Sequence, residues 1–172
     1  VRGGQAILID DKVDYNGIFR GDLRMIHLNG RGSAGKRAIS VDIANLKGRW
    51  TQWLIEDSGS ATADYTIYIR TARSEGFSLE GVDFGDNTRA PKGALFQCYL
   101  SGQLTVRNFV FRKNVDIKGN VDIELGRAAQ FGDTGTINTS AENDIVLRKM
   151  LGLDFPIGTI STPASVRQKL DW

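Results

Sequence analysis

Acidic residues recur at one place after short apolar segments, and they are the first candidates for chemistry. Asp57 and Asp86 occupy equivalent positions in two successive segments of similar pattern, and Glu56 precedes the first of them. If these segments stack as neighbouring strands, the two aspartates lie one strand spacing, about 5 Å, apart. Carboxyl groups at that separation suit a retaining glycoside hydrolase, because their repulsion raises one pKa. The alternative is a solvated edge, where Arg112 and Lys113 in the next segment offset the acids.

A second set of residues suits binding. Alternation in the segments around Ile67 and Phe96 predicts that the intervening side chains face away from a core. These outward residues are Asp42, Tyr68, Arg70, Gln97 and Tyr99. Aromatic rings pack on the apolar face of a sugar and planar polar groups bind its hydroxyls, so we predict a carbohydrate-binding surface. Tyr and Arg are also enriched at subunit interfaces, and the sequence leaves both interpretations open.

Other kinds of site have little support. His27 is the only histidine, which excludes a multi-histidine metal site, and it lies between two residues that should face inward. The segment "GRGSAGKR" (30–37) resembles a phosphate-binding loop but has Arg37 where that loop has Ser or Thr. A strand-like segment follows it instead of the helix that would bind phosphate. We predict no metal and no cofactor.

The elements that position these residues repeat along the chain. Successive units begin 27, 29 and 27 residues apart and share one apolar spacing: Leu23-x-x-Ile26-x-Leu28, Trp50-x-x-Trp53-x-Ile55, Leu79-x-x-Val82-x-Phe84 and Val106-x-x-Phe109-x-Phe111. The second residue of the two-residue insert is Gly81 in one unit and Asn108 in the next. Gly and Asn adopt a positive φ more readily than other residues. We therefore predict a sharp corner at this place.

The repeat predicts an all-β fold, a right-handed parallel β-helix of about four coils over residues 1–125. Stacked coils pair every backbone group, and they align inward residues in two ladders: Leu28/Ile55/Phe84/Phe111 and Ile26/Trp53/Val82/Phe109. Alternating strands precede three of the units and place further residues inward: Ile39-Val41-Ile43, Ile67-Ile69 and Phe96-Cys98-Leu100. A β-sandwich is the alternative, since its short strands arrive at similar density.

Residues 126–172 depart from the repeat and predict an irregular, β-rich capping and trimerisation region, with one helical turn near 142–151. This tail keeps eleven apolar residues without a regular pattern: Phe131, Ile137, Ile145, Val146, Leu147, Leu151, Leu153, Phe155, Ile157, Ile160 and Trp172. They need a partner surface, and the end coils expose strand edges. We therefore expect a homotrimer.

Composition excludes several classes of protein. The 22 basic and 20 acidic residues are scattered along the chain, so we expect no nucleic-acid partner. No apolar run approaches 18 residues, so we expect no membrane insertion. The single cysteine, Cys98, excludes an intrachain disulfide framework. The chain begins without Met, and we expect a fragment or a processed product.

The chain resembles a bacteriophage tailspike or tail-fibre protein of the pectate-lyase-like β-helix type over about residues 20–125. The resemblance rests on the coils "LEGVDFGDN" (79–87) and "LTVRNFVFRKN" (104–114), each with a corner Gly or Asn and a trailing Asn, and on the polar segment "FGDTGTINTSAEND" (131–144). It implies a homotrimer, located in the virion tail and thus extracellular, that binds bacterial surface polysaccharide and in many members cleaves it.

No catalytic motif of that family can be placed on this chain residue by residue. Four coils are also few beside the longer helices that carry depolymerase clefts. We therefore expect a structural, polysaccharide-binding segment without enzymatic activity of its own. The alternatives are a polysaccharide hydrolase or lyase, with acids among Asp42, Glu56, Asp57, Asp83 and Asp86, and a cellular β-helix enzyme or adhesin.

Overall fold

The computed structural model shows an all-β protein made of parallel strands. It describes residues 6–11, 16–31, 34–84, 90, 92–109, 115–125, 137–139, 145–149, 160–161 and 167–168, which contain no helix. The strands in chain order are β1 (Ile7–Asp10), β2 (Ile18–Arg20), β3 (Leu23–Arg31), β4 (Ile39–Lys47), β5 (Arg49–Gly59), β6 (Tyr65–Ser74), β7 (Ser78–Phe84), β8 (Lys92–Gly102), β9 (Leu104–Phe109), β10 (Val115–Gly119), β11 (Val121–Leu125), β12 (Ile137–Thr139), β13 (Ile145–Lys149), β14 (Ile160–Ser161) and β15 (Arg167–Gln168).

Consecutive strands from β3 onward alternate between two sheets. The first sheet has the order β1-β4-β6-β8-β10-β12-β14, with β2 also paired to β4, and the second has the order β3-β5-β7-β9-β11-β13-β15. Every strand pair in both sheets is parallel. A parallel neighbour is thus reached only after the chain has passed through the opposite sheet.

The core lies between the sheets. Inward residues of both sheets form one buried cluster, including Ile39 and Ile67 of the first and Trp50 and Trp53 of the second. The two tryptophan rings stack with centroids 5.2 Å apart, and Phe77 packs edge-on against Trp50 at 5.1 Å. Each side chain buried in this way contributes about 1.5–3 kcal/mol relative to exposure.

Both predicted ladders are confirmed wherever their residues are described. Leu28, Ile55 and Phe84 pair in register, as do Ile26, Trp53 and Val82. Phe111 lies outside the described residues. The inward placement predicted for Leu100 is wrong, because its side chain is 62% exposed. The register between β6 and β8 shifts after Cys98, and such an irregularity moves later residues to the other face.

The predicted corner is confirmed, and it extends to two more coils. Gly81 has a φ of 66° and Asn108 a φ of 47°. Met25 and Gln52 occupy the same position of their units, with φ values of 52° and 59°. Each of these two residues carries a left-handed strain of about 1–2 kcal/mol. The stacking of the coils, and not local preference, therefore imposes this conformation.

A second corner joins each first-sheet strand to the following second-sheet strand. From β4 onward it contains Gly48, Gly76, Gly102 and Gly119, all with positive φ. A Cβ atom on Gly102 would lie 1.9 Å from the carbonyl oxygen of Ser74 in the preceding coil. A Cβ atom on Gly76 would meet nothing within 4 Å. Close approach of successive coils thus requires glycine at residue 102, whereas residue 76 needs it for φ alone.

Both sheets continue past residue 125. β12 and β14 extend the first sheet, and β13 and β15 extend the second. The helical turn predicted near 142–151 is wrong, because Ile145–Lys149 is a strand that pairs with β11. The segments between these last strands lie outside the described residues, and the separate capping role of 126–172 stays a prediction.

Candidate functional site

The outer face of the first sheet brings together the five residues predicted to bind carbohydrate. Asp42, Arg70 and Gln97 are register partners on β4, β6 and β8. Tyr68 lies on the same face, and the Arg70 guanidinium stands 5.3 Å from the ring centroid of Tyr99. Because inward residues alternate with these along each strand, the core positions them without any loop.

A groove of 380 Å³ opens at one end of this face, and we call it the Tyr68 groove. It is lined by Leu8, Asp10, Gly35, Lys36, Arg37, Ser40, Asp42 and Tyr68. Its lining combines two acids, two bases and an aromatic wall. The segment that resembled a phosphate-binding loop thus contributes to the groove, although no helix follows it in the described chain.

Arg37 fixes one wall of the Tyr68 groove. Its Nε and a terminal nitrogen each donate a hydrogen bond of 2.7 Å to Asp64. These hydrogen bonds hold the pKa of the Asp64 carboxyl below its usual value. The guanidinium carbon also lies 3.7 Å from the ring centroid of Tyr68, so one face of that ring is covered by a cation.

Asp42 offers an acceptor to a ligand. Its Oδ2 accepts a long hydrogen bond of 3.4 Å from Arg70, and its Oδ1 is buried without a hydrogen-bond partner. Asp10 is its register partner on β1 and lines the same groove. A buried oxygen without a partner costs about 1–3 kcal/mol, which a ligand hydroxyl donating to it would relieve.

A buried charge cluster lies farther along the same face. Asp116 is 7% exposed and accepts hydrogen bonds from the Tyr65 hydroxyl and, at 2.8 Å, from Lys92 Nζ. Burial and the neighbouring Asp116 raise the pKa of Tyr65 well above its usual value. Tyr65 also packs against Tyr68, with ring centroids 6.1 Å apart. The cluster therefore supports the aromatic wall of the groove.

The second sheet carries another groove, at the first-described corner. It has a volume of 450 Å³, and we call it the Gly81 groove; it is lined by Arg24, Arg49, Thr51, Gln52, Glu80, Gly81, Arg107 and Asn108. Arg49 forms an ion pair with Glu80. Arg107 bridges Asp122 at 2.9 Å and Glu124 at 3.2 Å.

Sequence reasoning missed the Gly81 groove and the partners of Tyr68. Its only available signal was the repeat itself, because Arg24, Thr51, Glu80 and Arg107 follow the first apolar residue of successive units. The pairing of Lys92 with Asp116 had no such signal, since the two residues belong to coils of different length.

The predicted catalytic residues are only partly described. Glu56 and Asp57 belong to β5, and Glu56 is the register partner of Asn29. The side chains of both acids, and all of Asp86, lie outside the described residues. The predicted Asp57–Asp86 carboxylate pair therefore stays a prediction.

Within the described ranges, no three His, Cys, Asp or Glu residues are grouped so that they could hold a metal ion. The same part of the chain contains no helix long and apolar enough to cross a membrane. Comparisons of the chain with protein-family models, curated proteins and solved structures each give no match.

Proposed function

We propose that the two sheets belong to one right-handed parallel β-helix. Three observations support this architecture: the alternation of strands between sheets, the common core and the glycine or positive-φ corners at constant places. A right-handed coil follows the general preference of connections between parallel strands. Stacked coils would present long, straight outer faces that suit a linear polymer.

We propose that this β-helix is a segment of a phage tailspike or tail fibre that binds host-surface polysaccharide. The observation that carries the proposal is the Tyr68 groove, where acids, bases and an aromatic ring line one surface of the first sheet. Sugars need planar acceptors and donors for their hydroxyls and an apolar surface for their ring. Asp42 supplies the acceptor, Lys36 the donors and Tyr68 the apolar wall.

The position of Arg37 defines how a sugar would use this groove. The guanidinium already covers one face of the Tyr68 ring, so a sugar contacts the exposed edge of that ring or displaces Arg37. Displacement is unfavourable because the two hydrogen bonds to Asp64 would break. The main contacts are therefore polar, from Asp42 and Ser40 at the floor of the groove.

Binding to purified bacterial surface polysaccharides tests this function. Asp42→Asn should weaken binding about tenfold, the usual effect of losing one hydrogen bond to a charged group. Glu75→Gln is the matched control, since it removes a carboxylate charge from an exposed residue that does not line the groove. Equal affinities of Asp42→Asn and the unmodified protein for a polysaccharide that binds would refute the assignment to this groove.

The proposed assembly is a homotrimer. Leu8 and Leu100 are 60% and 62% exposed on first-sheet strands, and burial between protomers would remove them from water. Sedimentation equilibrium should give three times the chain mass of 18.9 kDa. A stably folded species of the single-chain mass at micromolar concentration would contradict the trimer.

A polysaccharide depolymerase is the second candidate, favoured by the pairing of Asp10 with Asp42. Strand neighbours lie about 4.8 Å apart, close to the carboxyl separation of about 5–5.5 Å in retaining glycosidases. Release of reducing ends from a bound polysaccharide, abolished by Asp42→Asn, would establish this activity. Ultraviolet absorbance of an unsaturated product would instead indicate a lyase.

A further inference from the structure

The Gly81 groove owes its shape to one missing side chain. Met25, Gln52, Gly81 and Asn108 stack in a column of positive-φ residues at the corner of four successive coils. Gln52 and Asn108 extend exposed side chains on either side of Gly81. Those two residues are two strand spacings apart, about 10 Å. The glycine therefore leaves a slot between two amide side chains, wide enough for one sugar unit.

The groups around this slot favour a negative ligand. Three arginines and one glutamate line the groove. Arg49 is engaged by Glu80, whose pKa its hydrogen bond lowers, and Arg107 is engaged by Asp122 and Glu124. Arg24 makes no ion pair with any described residue. One guanidinium with all its donors available thus stands beside two amides that can bind hydroxyl groups.

We propose that the Gly81 groove binds a carboxylate-bearing sugar unit of an acidic polysaccharide. A guanidinium fork matches a carboxylate with two parallel hydrogen bonds, and Gln52 and Asn108 bind the hydroxyls of the same unit. A single-stranded nucleic acid fits less well, because its bases stack on aromatic side chains and none lines this groove. This site lies on the second sheet and does not depend on the Tyr68 groove.

The first test fills the slot without changing the corner. Gly81→Asn places a side chain in the groove, and Asn tolerates the left-handed conformation better than most residues. Gly76→Asn is the matched control: its φ of 74° is close to the 66° of Gly81, it has open space around it, and it does not line the groove. The probes are an oligoglucuronate with cellulose-type linkages, a cello-oligosaccharide of the same length and a single-stranded oligonucleotide.

We expect the unmodified protein and Gly76→Asn to bind the oligoglucuronate alike, and Gly81→Asn to bind it at least tenfold more weakly. The cello-oligosaccharide differs only in having a neutral group in place of each carboxylate, and it should bind at least tenfold more weakly to the unmodified protein. Preferential binding of the oligonucleotide, equal binding of the two saccharides, or no binding of the oligoglucuronate would each overturn the proposal.

The second test removes the charge. Arg24→Gln should weaken oligoglucuronate binding about tenfold, the size of one charge-assisted hydrogen bond. Arg73→Gln removes the same charge from an exposed first-sheet residue outside both grooves, and it should change the affinity less than twofold. Equal losses in both variants would indicate attraction by net charge alone and overturn the site. Asp42→Asn should leave this binding intact, which separates failure of this proposal from failure of the Tyr68 groove.

Discussion

The corner glycines allow the contribution of coil stacking to be separated from that of backbone conformation. Gly76 and Gly102 have nearly the same φ, 74° and 75°, and each connects a first-sheet strand to the next second-sheet strand. They differ in surroundings, because a Cβ atom at residue 102 would lie 1.9 Å from the Ser74 carbonyl oxygen whereas at residue 76 it would meet nothing. Replacing each glycine by alanine therefore changes φ strain equally and steric contact unequally.

The expected cost of Gly76→Ala is small. A left-handed alanine costs about 1–2 kcal/mol, and the reduced entropy of the unfolded chain returns about 0.4–1 kcal/mol. The free energy of unfolding should therefore fall by about 1 kcal/mol. Gly102→Ala carries the same terms and must also move the Ser74 oxygen from 1.9 Å to at least 3.0 Å. An overpacked site of this kind costs a further 1–3 kcal/mol, roughly.

Thermal and urea unfolding of both variants, at one protomer concentration, measures this difference. For a chain of this size, about 2 kcal/mol corresponds to a Tm difference of about 4–8 °C. Gly119→Ala, whose Cβ would lie 2.0 Å from the Cys98 oxygen, should resemble Gly102→Ala. If Gly76→Ala and Gly102→Ala lower stability equally, the coils do not approach each other as described and the steric argument fails.

Three further predictions follow from single residues. Phe77→Ala should lower the free energy of unfolding by about 3–5 kcal/mol in urea, because the ring is buried against Trp50; a loss below about 1 kcal/mol would contradict that packing. Gly81→Val should cost about 1–2 kcal/mol in the same assay, as a left-handed β-branched residue, and an unchanged Tm would argue against the corner. Because Arg37 lowers the pKa of folded Asp64, the stability it contributes is complete above the unfolded pKa, about 3.9, and is lost as the pH falls through the folded value. The difference in stability between Asp64→Asn and the unmodified protein should accordingly shrink in acid, and a constant difference would refute the ion pair.

The sequence predicts the fold where the coil length is regular. Leu23, Trp50, Leu79 and Val106 recur at nearly constant intervals, and their register was predicted from that spacing alone. The next inward residue of this ladder, Ile123, follows Val106 after only 17 residues. A search for equal spacing ends at such a change, and strands β12 to β15 were therefore missed.

Local preference also limits what the sequence shows about the corners and grooves. Gly81 and Asn108 favour a positive φ and were predicted to adopt it, whereas Met25 does not favour it and adopts it under the constraint of stacking. Tyr68 and Asp42 were predicted to share a face because alternation along strands is local information. Their partner Arg37 lies in a loop, so its position depends on how the coils stack.

The stacking of coils also orders side chains beyond the strands. Gly35 donates to Thr62, Arg37 binds Asp64 and the Arg49 amide donates to Asp22, and each pair is separated by 27 residues in sequence. Loops and corners therefore follow the same period as the strands that they connect. A ligand that repeats along its own length can meet equivalent groups on successive coils, which a compact small molecule cannot do. Because both grooves extend across several coils, this arithmetic favours a linear polymer over a small metabolite at either surface.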